Sequence, residues 1–225
     1  MTLGVPYGIV GSTGRMGHEL EAAAGAAPCL RVWIDGEECH GAPRVIFDFS
    51  SAAALRRTAE LCRRYQCGLV LGTTALQEDH FALLRSLAEE VPVVQSANYS
   101  VGIAVMTMIL RRYAPLLEDW DAELAEAHHI HKKDAPSGTA LALEKALGRN
   151  VPIHSFRLGG LPGDHIAIFG SEGETLTVSH RAINRSVFAT GAMRAARFVL
   201  TAEKGLYSFE DALRAQSQPE AVKAQ

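Results

Sequence analysis

The chain has 225 residues, of which 48% are hydrophobic and 21% are charged, a composition typical of a globular protein. Its 22 basic and 25 acidic residues give a formal net charge of −3, so it lacks the basic excess expected of a nucleic-acid-binding protein. Its apolar runs are too short to span a bilayer, so no membrane partner is expected. The length allows one large domain or two modest ones.

The first half alternates short apolar runs with amphipathic stretches. Strands are predicted at Tyr7–Val10, Leu30–Ile34, Val45–Phe49, Gly68–Leu71 and Val91–Gln95, and helices at Arg15–Ala24, Ala52–Tyr65 and Gln77–Glu89. Ser50 or Ser51 is the expected N-cap of the second helix. This alternation predicts a parallel sheet covered on both faces, with a short or irregular crossover between residues 34 and 45.

The second half has a different pattern. Helices are predicted at Val101–Leu117, Gly138–Leu147, Ser186–Glu203 and Ser208–Ala215, and strands at Ala122–Ala127, Ile153–Leu158, His165–Phe169 and Thr175–His180. The last three strands are predicted to form an antiparallel sheet, and the tail from Gln216 is expected to fray. We infer an α/β protein whose dinucleotide-binding domain comprises residues 1–100 and 184–225. Residues 101–183 form a second, inserted α+β domain.

Four cysteines show no zinc-ligand spacing, and no secretory signal is recognised before them. They are Cys29, Cys39, Cys62 and Cys67. We therefore expect reduced structural thiols in a cytoplasmic protein.

A glycine-rich turn follows the first predicted strand. Its sequence is Gly11-Ser12-Thr13-Gly14-Arg15-Met16-Gly17, which departs from the usual Gly-x-Gly-x-x-Gly spacing. Such a turn brings backbone N–H groups and a helix dipole against a pyrophosphate, although a plain strand-to-helix turn is the alternative. Asp35 follows 24 residues after Gly11, where an acidic group binds the adenosine ribose. The alternative for Asp35 is an ordinary turn residue before Gly36.

Two polar segments follow later strands. They are Gly72-Thr73-Thr74 and Ser96-Ala97-Asn98-Tyr99. Ligands of open parallel sheets bind outside the carboxyl ends of the strands, so both segments are expected to contact the nicotinamide half of a dinucleotide. Helix caps and turns are the simpler interpretation, and they are compatible with that role.

The stretch from Glu126 to Ala140 concentrates histidines, lysines and a helix start. It contains His128, His129 and His131, followed by two lysines. Histidine exchanges protons near neutral pH, and lysine attracts carboxylates. Ser137 is a predicted N-cap, and the N–H groups of the next two residues can bind an anion. The pattern indicates proton transfer on a small carboxylate, although surface residues or a metal site at the histidines are alternatives.

These motifs together resemble the 4-hydroxy-tetrahydrodipicolinate reductase family, also called the dihydrodipicolinate reductases. The resemblance extends across nearly the whole chain, in the family's order. It is carried by Gly11–Gly17, Asp48-Phe49-Ser50, Gly72-Thr73-Thr74, residues 96–102, Glu126–Ala140, His180-Arg181-Ala182 and residues 185–192.

The resemblance implies hydride transfer from a reduced nicotinamide nucleotide to a cyclic dicarboxylate, in the diaminopimelate route to lysine. It also implies that the inserted domain binds substrate and builds a homotetramer. At matching positions, His128 and Lys132 are the proton donors, His129 contacts substrate, and Gly138 and Thr139 hold a carboxylate. The implied cofactor residues are Gly11, Ser12, Thr13, Gly14, Arg15, Met16, Asp35, Gly72, Thr73, Thr74, Ser96, Ala97, Asn98 and Tyr99.

One departure bears on the cofactor. Family members that accept NADPH commonly place a basic residue directly after the acidic one, whereas Gly36 follows Asp35 here. Arg15 compensates in part, so NADH is predicted as the preferred cofactor and NADPH stays open. The chain is also short between its second and third strands.

Two other functions are alternatives. A metal-dependent hydrolase would use His128, His129 and His131, and it would leave the glycine turn unexplained. A non-catalytic NAD-binding sensor would lack the proton donors and the carboxylate site.

Overall fold

The computed structural model describes residues 2–217, and this part of the chain divides into two compact units. The first unit contains the residues up to Tyr99 and from Phe188 onward, and the second contains Ser100–Val187. Part of the predicted frayed tail, residues 218–225, lies outside the described residues. No helix among residues 2–217 is long and apolar enough to cross a membrane. The cytoplasmic location stays a prediction.

The first unit is built on a seven-stranded sheet. Its strands are β1 Tyr7–Val10, β2 Leu30–Trp33, β3 Gly36–Cys39, β4 Val45–Asp48, β5 Gly68–Leu71, β6 Pro92–Gln95 and β11 Gly205–Ser208. They lie in the order β11-β6-β5-β4-β1-β2-β3, and every neighbouring pair is parallel except β2 and β3. The helices are α1 Arg15–Ala24, α2 Leu55–Tyr65, α3 Glu78–Ala88, α6 Ser186–Val199 and α7 Phe209–Ser217.

The predicted parallel sheet is confirmed, with two differences at its edges. The segment expected to be an irregular crossover instead forms the antiparallel strand β3, because Ile34 and Asp35 make a two-residue turn. Strand β11 was not predicted. Its residues alternate between partly buried and exposed, so it lacks the continuous apolar run that marks the central strands. The predicted helix through Glu203 ends at Val199.

Of the two serines predicted to cap the second helix, Ser51 is at the N-cap position of this helical segment. The Ser50 hydroxyl donates to Asp48 Oδ1 at 2.5 Å and does not cap a helix. A short 3₁₀ turn, Ala52–Ala54, comes before α2, and its N-cap Ser51 makes no side-chain cap bond. Ser50, the other predicted cap, is therefore hydrogen-bonded to the buried Asp48 carboxylate instead.

The second unit contains a four-stranded sheet of order β10-β9-β7-β8. Its elements are α4 Val101–Tyr113, the 3₁₀ helix Ala114–Leu117, β7 Asp121–His128, α5 Gly138–Leu147, β8 Ile153–Arg157, β9 Asp164–Gly170 and β10 Thr175–Arg181. Strands β9 and β10 are antiparallel as predicted, but β8 runs parallel to β7. The reason is that α5 lies between them along the chain and forms a β-α-β crossover.

The two faces of this sheet differ in what covers them. On one face, Leu124, Ala167 and Phe169 belong to an apolar cluster with residues of α4 and α5. On the other face, the side chains of Phe156 and Ile168 remain 51% and 41% exposed. The core of this unit therefore lies on one side of the sheet only.

Gly191 in α6 packs directly against the backbone of Tyr99. A Cβ atom placed there would lie 1.7 Å from the Tyr99 carbonyl oxygen. The Tyr99 ring is itself fixed, because its hydroxyl donates to the carbonyl oxygens of Leu71 and Val94 at 2.9 and 3.0 Å. Helix α6 can pack here only if residue 191 has no side chain.

We expect Gly191→Ala to destabilise the protein, although alanine normally favours a helix over glycine by about 0.5–1 kcal/mol. Overpacking against fixed backbone costs about 1–3 kcal/mol, which corresponds to roughly 2–4 °C per kcal/mol in the midpoint of thermal unfolding. Calorimetry measures this shift. Gly170→Ala is the control, since the nearest atom to its added Cβ is 3.9 Å away. A midpoint at or above the wild-type value in Gly191→Ala would contradict the packing described here.

Candidate active site

The centre of the candidate site is a buried carboxylate on strand β7. Side chains alternate along a strand, so Glu126 and His128 lie on the same face. Glu126 is 1% exposed and accepts four hydrogen bonds. They come from His128 Nδ1, from the Ser137 N–H at 3.1 Å, and from Arg157 Nη2 and Nη1 at 2.7 and 2.9 Å.

The charge of Glu126 fixes the proton on its histidine partner. Burial on its own would raise the pKa of Glu126, but the hydrogen bonds from Arg157 and His128 outweigh it and lower that pKa to about 2. Glu126 is therefore ionised at neutral pH, and an ionised carboxylate can only accept. The proton in this contact is consequently on Nδ1 of His128, and Nε2 is the ring nitrogen turned away from the carboxylate.

The other ring nitrogen of His128 faces Gly163 and His165. A Cβ atom at Gly163 would lie 2.9 Å from His128 Nε2, so glycine leaves room for the ring. The His165 ring packs edge-on at a centroid distance of 5.2 Å. Burial and the nearby His128 lower the pKa of His165 to about 4, so His165 is neutral near pH 7. A second imidazole thus lies beside the proposed acid without adding a charge.

The helix start beside this cluster has the predicted cap. The Ser137 hydroxyl accepts from the Ala140 N–H at 3.2 Å, which confirms Ser137 as the N-cap of α5. The loop before this helix start contains a carboxylate of the protein itself. Its atom Asp134 Oδ1 is 2.9 Å from Lys132 Nζ. Lys132 and the Gly138 N–H lower the pKa of Asp134. Gly138, one of the two residues predicted to hold a substrate carboxylate, and Lys132, a predicted proton donor, therefore stabilise an ionised carboxylate in this structure.

His129 and His131 follow β7 and are less enclosed than His128. The His129 Nδ1 atom is buried and has no hydrogen-bond partner within residues 2–217. Burial and the cation of Arg185 lower the pKa of His129. The rings of His129 and His131 are 6.2 Å apart, and His131 is exposed. In the described part of the chain, no three side chains of the metal-ligating types are grouped to hold an ion.

The glycine turn of the first unit has the conformation that its sequence predicted. Gly11 has φ +83°, and a Cβ at Gly17 would lie 2.5 Å from the Ser12 carbonyl oxygen. Gly14 is the N-cap of α1, and no acidic residue lies in the first turn of that helix. Because glycine has no side chain to cap the helix, the first N–H groups of α1 can bind an anion. These residues fit the pyrophosphate of a dinucleotide.

The two polar loops after β5 and β6 are divided between buried and exposed residues. The Thr73 hydroxyl is buried and donates to Asp48 Oδ1 at 3.0 Å, whereas Thr74 is exposed. Tyr99 is 1% exposed, and Ala97 is exposed. Thr73 and Tyr99 thus shape these loops from inside. The predicted cofactor contacts of both loops stay predictions.

Asp35 lies exposed in the turn between β2 and β3. This position is compatible with both interpretations of the residue, a contact to the ribose and an ordinary turn residue. The adjacent strand carries two more acidic residues, Glu37 and Glu38. Glu37 is paired with Arg57 at 3.0 Å. The ribose role of Asp35 stays a prediction.

Sequence reasoning did not assign roles to Glu126, Arg157, His165 or Asp48. Glu126 could have been found, because a glutamate two residues before a histidine on a buried strand must have a partner. Arg157 could not, since its contact depends on the parallel register that pairs His128 with Arg157.

A glycine turn that fits a dinucleotide and a buried glutamate–histidine pair beside a helix start are the features expected of a nicotinamide-dependent oxidoreductase. Comparisons with known proteins agree. Residues 30–99 match the family model "Dihydrodipicolinate reductase, N-terminus", and residues 102–213 match "Dihydrodipicolinate reductase, C-terminus".

Relatives named 4-hydroxy-tetrahydrodipicolinate reductase match most of the chain. The protein from Thermosipho africanus is 46% identical, over 92% of this chain and 97% of its own, and that from Zymomonas mobilis is 34% identical, over 93% and 97%. A dipicolinate-bound dihydrodipicolinate reductase from Paenisporosarcina shares the fold with a TM-score of 0.77 at 22% identity, covering 94% of this chain and 99% of its own. The chain belongs to the dihydrodipicolinate reductase family, which confirms the predicted family.

Proposed function

We propose that the protein reduces 4-hydroxy-tetrahydrodipicolinate, or its dehydrated form, to tetrahydrodipicolinate in the diaminopimelate route to lysine. Family membership supports the reaction. The observation that carries it is the buried Glu126–His128 pair beside a helix start whose groups already stabilise a carboxylate. The hydrolase and sensor alternatives have no comparable support.

The bound reduced nicotinamide supplies the hydride, and the glycine turn with Asp35 would hold that nucleotide. The residues of the second unit bind the substrate and deliver a proton. Lys132 and the start of α5 orient a substrate carboxylate, and His129 contacts the ring. Hydride addition to a conjugated imine leaves negative charge on carbon, which a general acid must neutralise. His128 acts in its doubly protonated form: the Nδ1 proton stays hydrogen-bonded to Glu126, Nε2 gives its proton to the carbon, and the ring is left neutral. Lys132 is the second donor.

A coupled assay tests this function. Purified protein is mixed with dihydrodipicolinate synthase and its two substrates. The oxidation of NADH and of NADPH is followed in separate reactions by the loss of the absorbance of the reduced nicotinamide. We expect oxidation that requires the synthase and is unchanged by a metal chelator. Nucleotide binding without turnover would favour the sensor, and loss of activity with the chelator would favour a metal enzyme.

For the cofactor, we propose a preference for NADH. The support is electrostatic, because Asp35 lies next to Glu37 and Glu38 and the cation of Arg57 is already paired with Glu37. A 2′-phosphate would add negative charge beside these carboxylates. NADPH stays open, since Arg15 lies in the exposed first turn of α1.

Asp35→Ser combined with Gly36→Arg should raise the kcat/KM ratio of NADPH to NADH by at least about tenfold, equivalent to roughly 1.4 kcal/mol. The reason is that it removes a charge that repels the 2′-phosphate and adds one that attracts it. The control is Asp35→Ser with Gly36→Ala, because any Cβ at position 36 lies 2.9 Å from the Trp33 ring. A wild-type protein that already prefers NADPH strongly would show that Asp35 and Gly36 do not set the preference.

We also propose that the protein is a homotetramer built through the open face of the second unit's sheet. The main support is family membership, and the half-exposed side chains of Phe156 and Ile168 would supply apolar contacts on that face. Light scattering coupled to size-exclusion chromatography tests the subunit number.

A further inference from the structure

Glu126 connects two parts of the site that the sequence treats separately. Its Oε2 atom accepts from His128 Nδ1, and its Oε1 atom accepts from the Ser137 N–H at 3.1 Å. Ser137 is the N-cap of the helix whose start is assigned to the substrate carboxylate. One carboxylate therefore holds both the proposed acid and the proposed anion site.

The carboxylate is itself held in one orientation. Arg157 donates to both of its oxygens, at 2.7 and 2.9 Å, and the same guanidinium donates to the Asp134 carbonyl oxygen at 2.6 Å. The strand register brings Arg157 to this position, because β8 pairs Arg157 directly with His128 on β7. Arg157 thus ties Glu126 to the loop between β7 and α5.

We propose that Glu126 is a positioning residue for the reduction. It fixes the His128 ring with the proton on Nδ1, so that Nε2 is the nitrogen left to exchange a proton with the substrate, and it sets the distance from that nitrogen to the start of α5. This inference rests on the proposed role of His128. Glu126 itself touches neither substrate nor cofactor, since it is 1% exposed beneath the histidine.

The first test needs no substitution. Nitrogen-15 NMR of the histidine rings in the wild-type protein distinguishes the two neutral imidazole tautomers and the doubly protonated ring. We expect His128 to carry a proton on Nδ1 at neutral pH, whatever the state of Nε2. A His128 ring with an unprotonated Nδ1 would overturn the inference, because an ionised Glu126 cannot donate to it.

The second test compares Glu126→Gln with a matched exposed carboxylate. Asp79 lies in α3 of the first unit, has its Oδ1 atom 3.1 Å from His80 Nδ1, and is 80% exposed, so Asp79→Asn controls for loss of a carboxylate–histidine pair. In other enzymes and metal sites, replacing a carboxylate that orients a histidine lowers activity or metal affinity by about 10-fold to about 10⁴-fold. We expect kcat to fall at least about tenfold in Glu126→Gln and to stay at the wild-type value in Asp79→Asn.

The third test separates positioning from simple structural damage. If Glu126 acts through His128, adding Glu126→Gln to a His128→Gln protein should lower kcat little further. An equal additional loss in that background would overturn the inference. A different result would contradict the proposed role of His128, namely a wild-type kcat in the His128→Gln protein. That result would not affect the NMR measurement of the His128 ring. If Glu126→Gln does not fold, the NMR measurement on the wild-type protein decides.

Discussion

His128→Gln should lower kcat by about 10²- to 10⁴-fold and change the KM for substrate little, as expected for loss of a general acid. Glutamine fills much of the space of the imidazole, but it cannot give a proton to the substrate near neutral pH. The steady-state assay with saturating NADH measures this change. Substrate binding should persist, because Lys132 and the start of α5 are unaltered.

His131→Gln provides the matched control for that prediction. His131 lies three residues further along the chain, is exposed, and has its ring 6.2 Å from that of His129. Its substitution should leave kcat near the wild-type value. Equal losses in the two variants, or wild-type turnover in His128→Gln, would remove His128 from the proton-transfer step.

The sequence predicted the elements whose signals are local. Continuous apolar runs identified β1, β4 and β5, which are buried throughout, and Ser137 was identified as a helix cap from its position before Gly138. These features depend on neighbours within a few residues. They were enough to place the glycine turn and the histidine stretch on their elements.

Contacts that depend on strand register could not be predicted in the same way. Arg157 meets Glu126 only because β8 runs parallel to β7, whereas the sequence indicated an antiparallel sheet. The four hydrogen bonds of Glu126 are therefore a tertiary feature. The same holds for the Asp48 carboxylate, which gathers Ser50, Thr58 and Thr73 from three segments.

The contacts of the Asp134 carboxylate indicate how a carboxylate of the substrate would bind. Its carboxylate lies 2.9 Å from Lys132 Nζ, and the Gly138 N–H helps to lower its pKa. A substrate carboxylate that binds the same groups must compete with Asp134, which is 57% exposed and can turn toward solvent. The helix dipole favours an anion at this end of α5 whichever carboxylate supplies it.

Pyridine-2,6-dicarboxylate, a flat aromatic analogue of the substrate, should therefore compete with substrate and leave cofactor binding intact. Thr139 is the second residue of α5, and Thr139→Val keeps the shape of the side chain while removing its hydroxyl. Losing a hydrogen bond to a charged group costs about 1.5–3 kcal/mol, so the inhibition constant should rise roughly ten- to a hundredfold. Inhibition kinetics at fixed NADH measure the change.

Thr177→Val, on the exposed part of β10, is the control with the same chemical change on a strand that has no predicted substrate residue. The affinity for NADH, followed by its fluorescence, should be the same in both variants, because the predicted cofactor residues belong to the first unit. A weaker inhibitor in Thr177→Val as well would indicate a general effect of the substitution. An unaltered inhibition constant in Thr139→Val would mean that the carboxylate binds elsewhere, and the assignment of Gly138 and Thr139 to the substrate would be wrong.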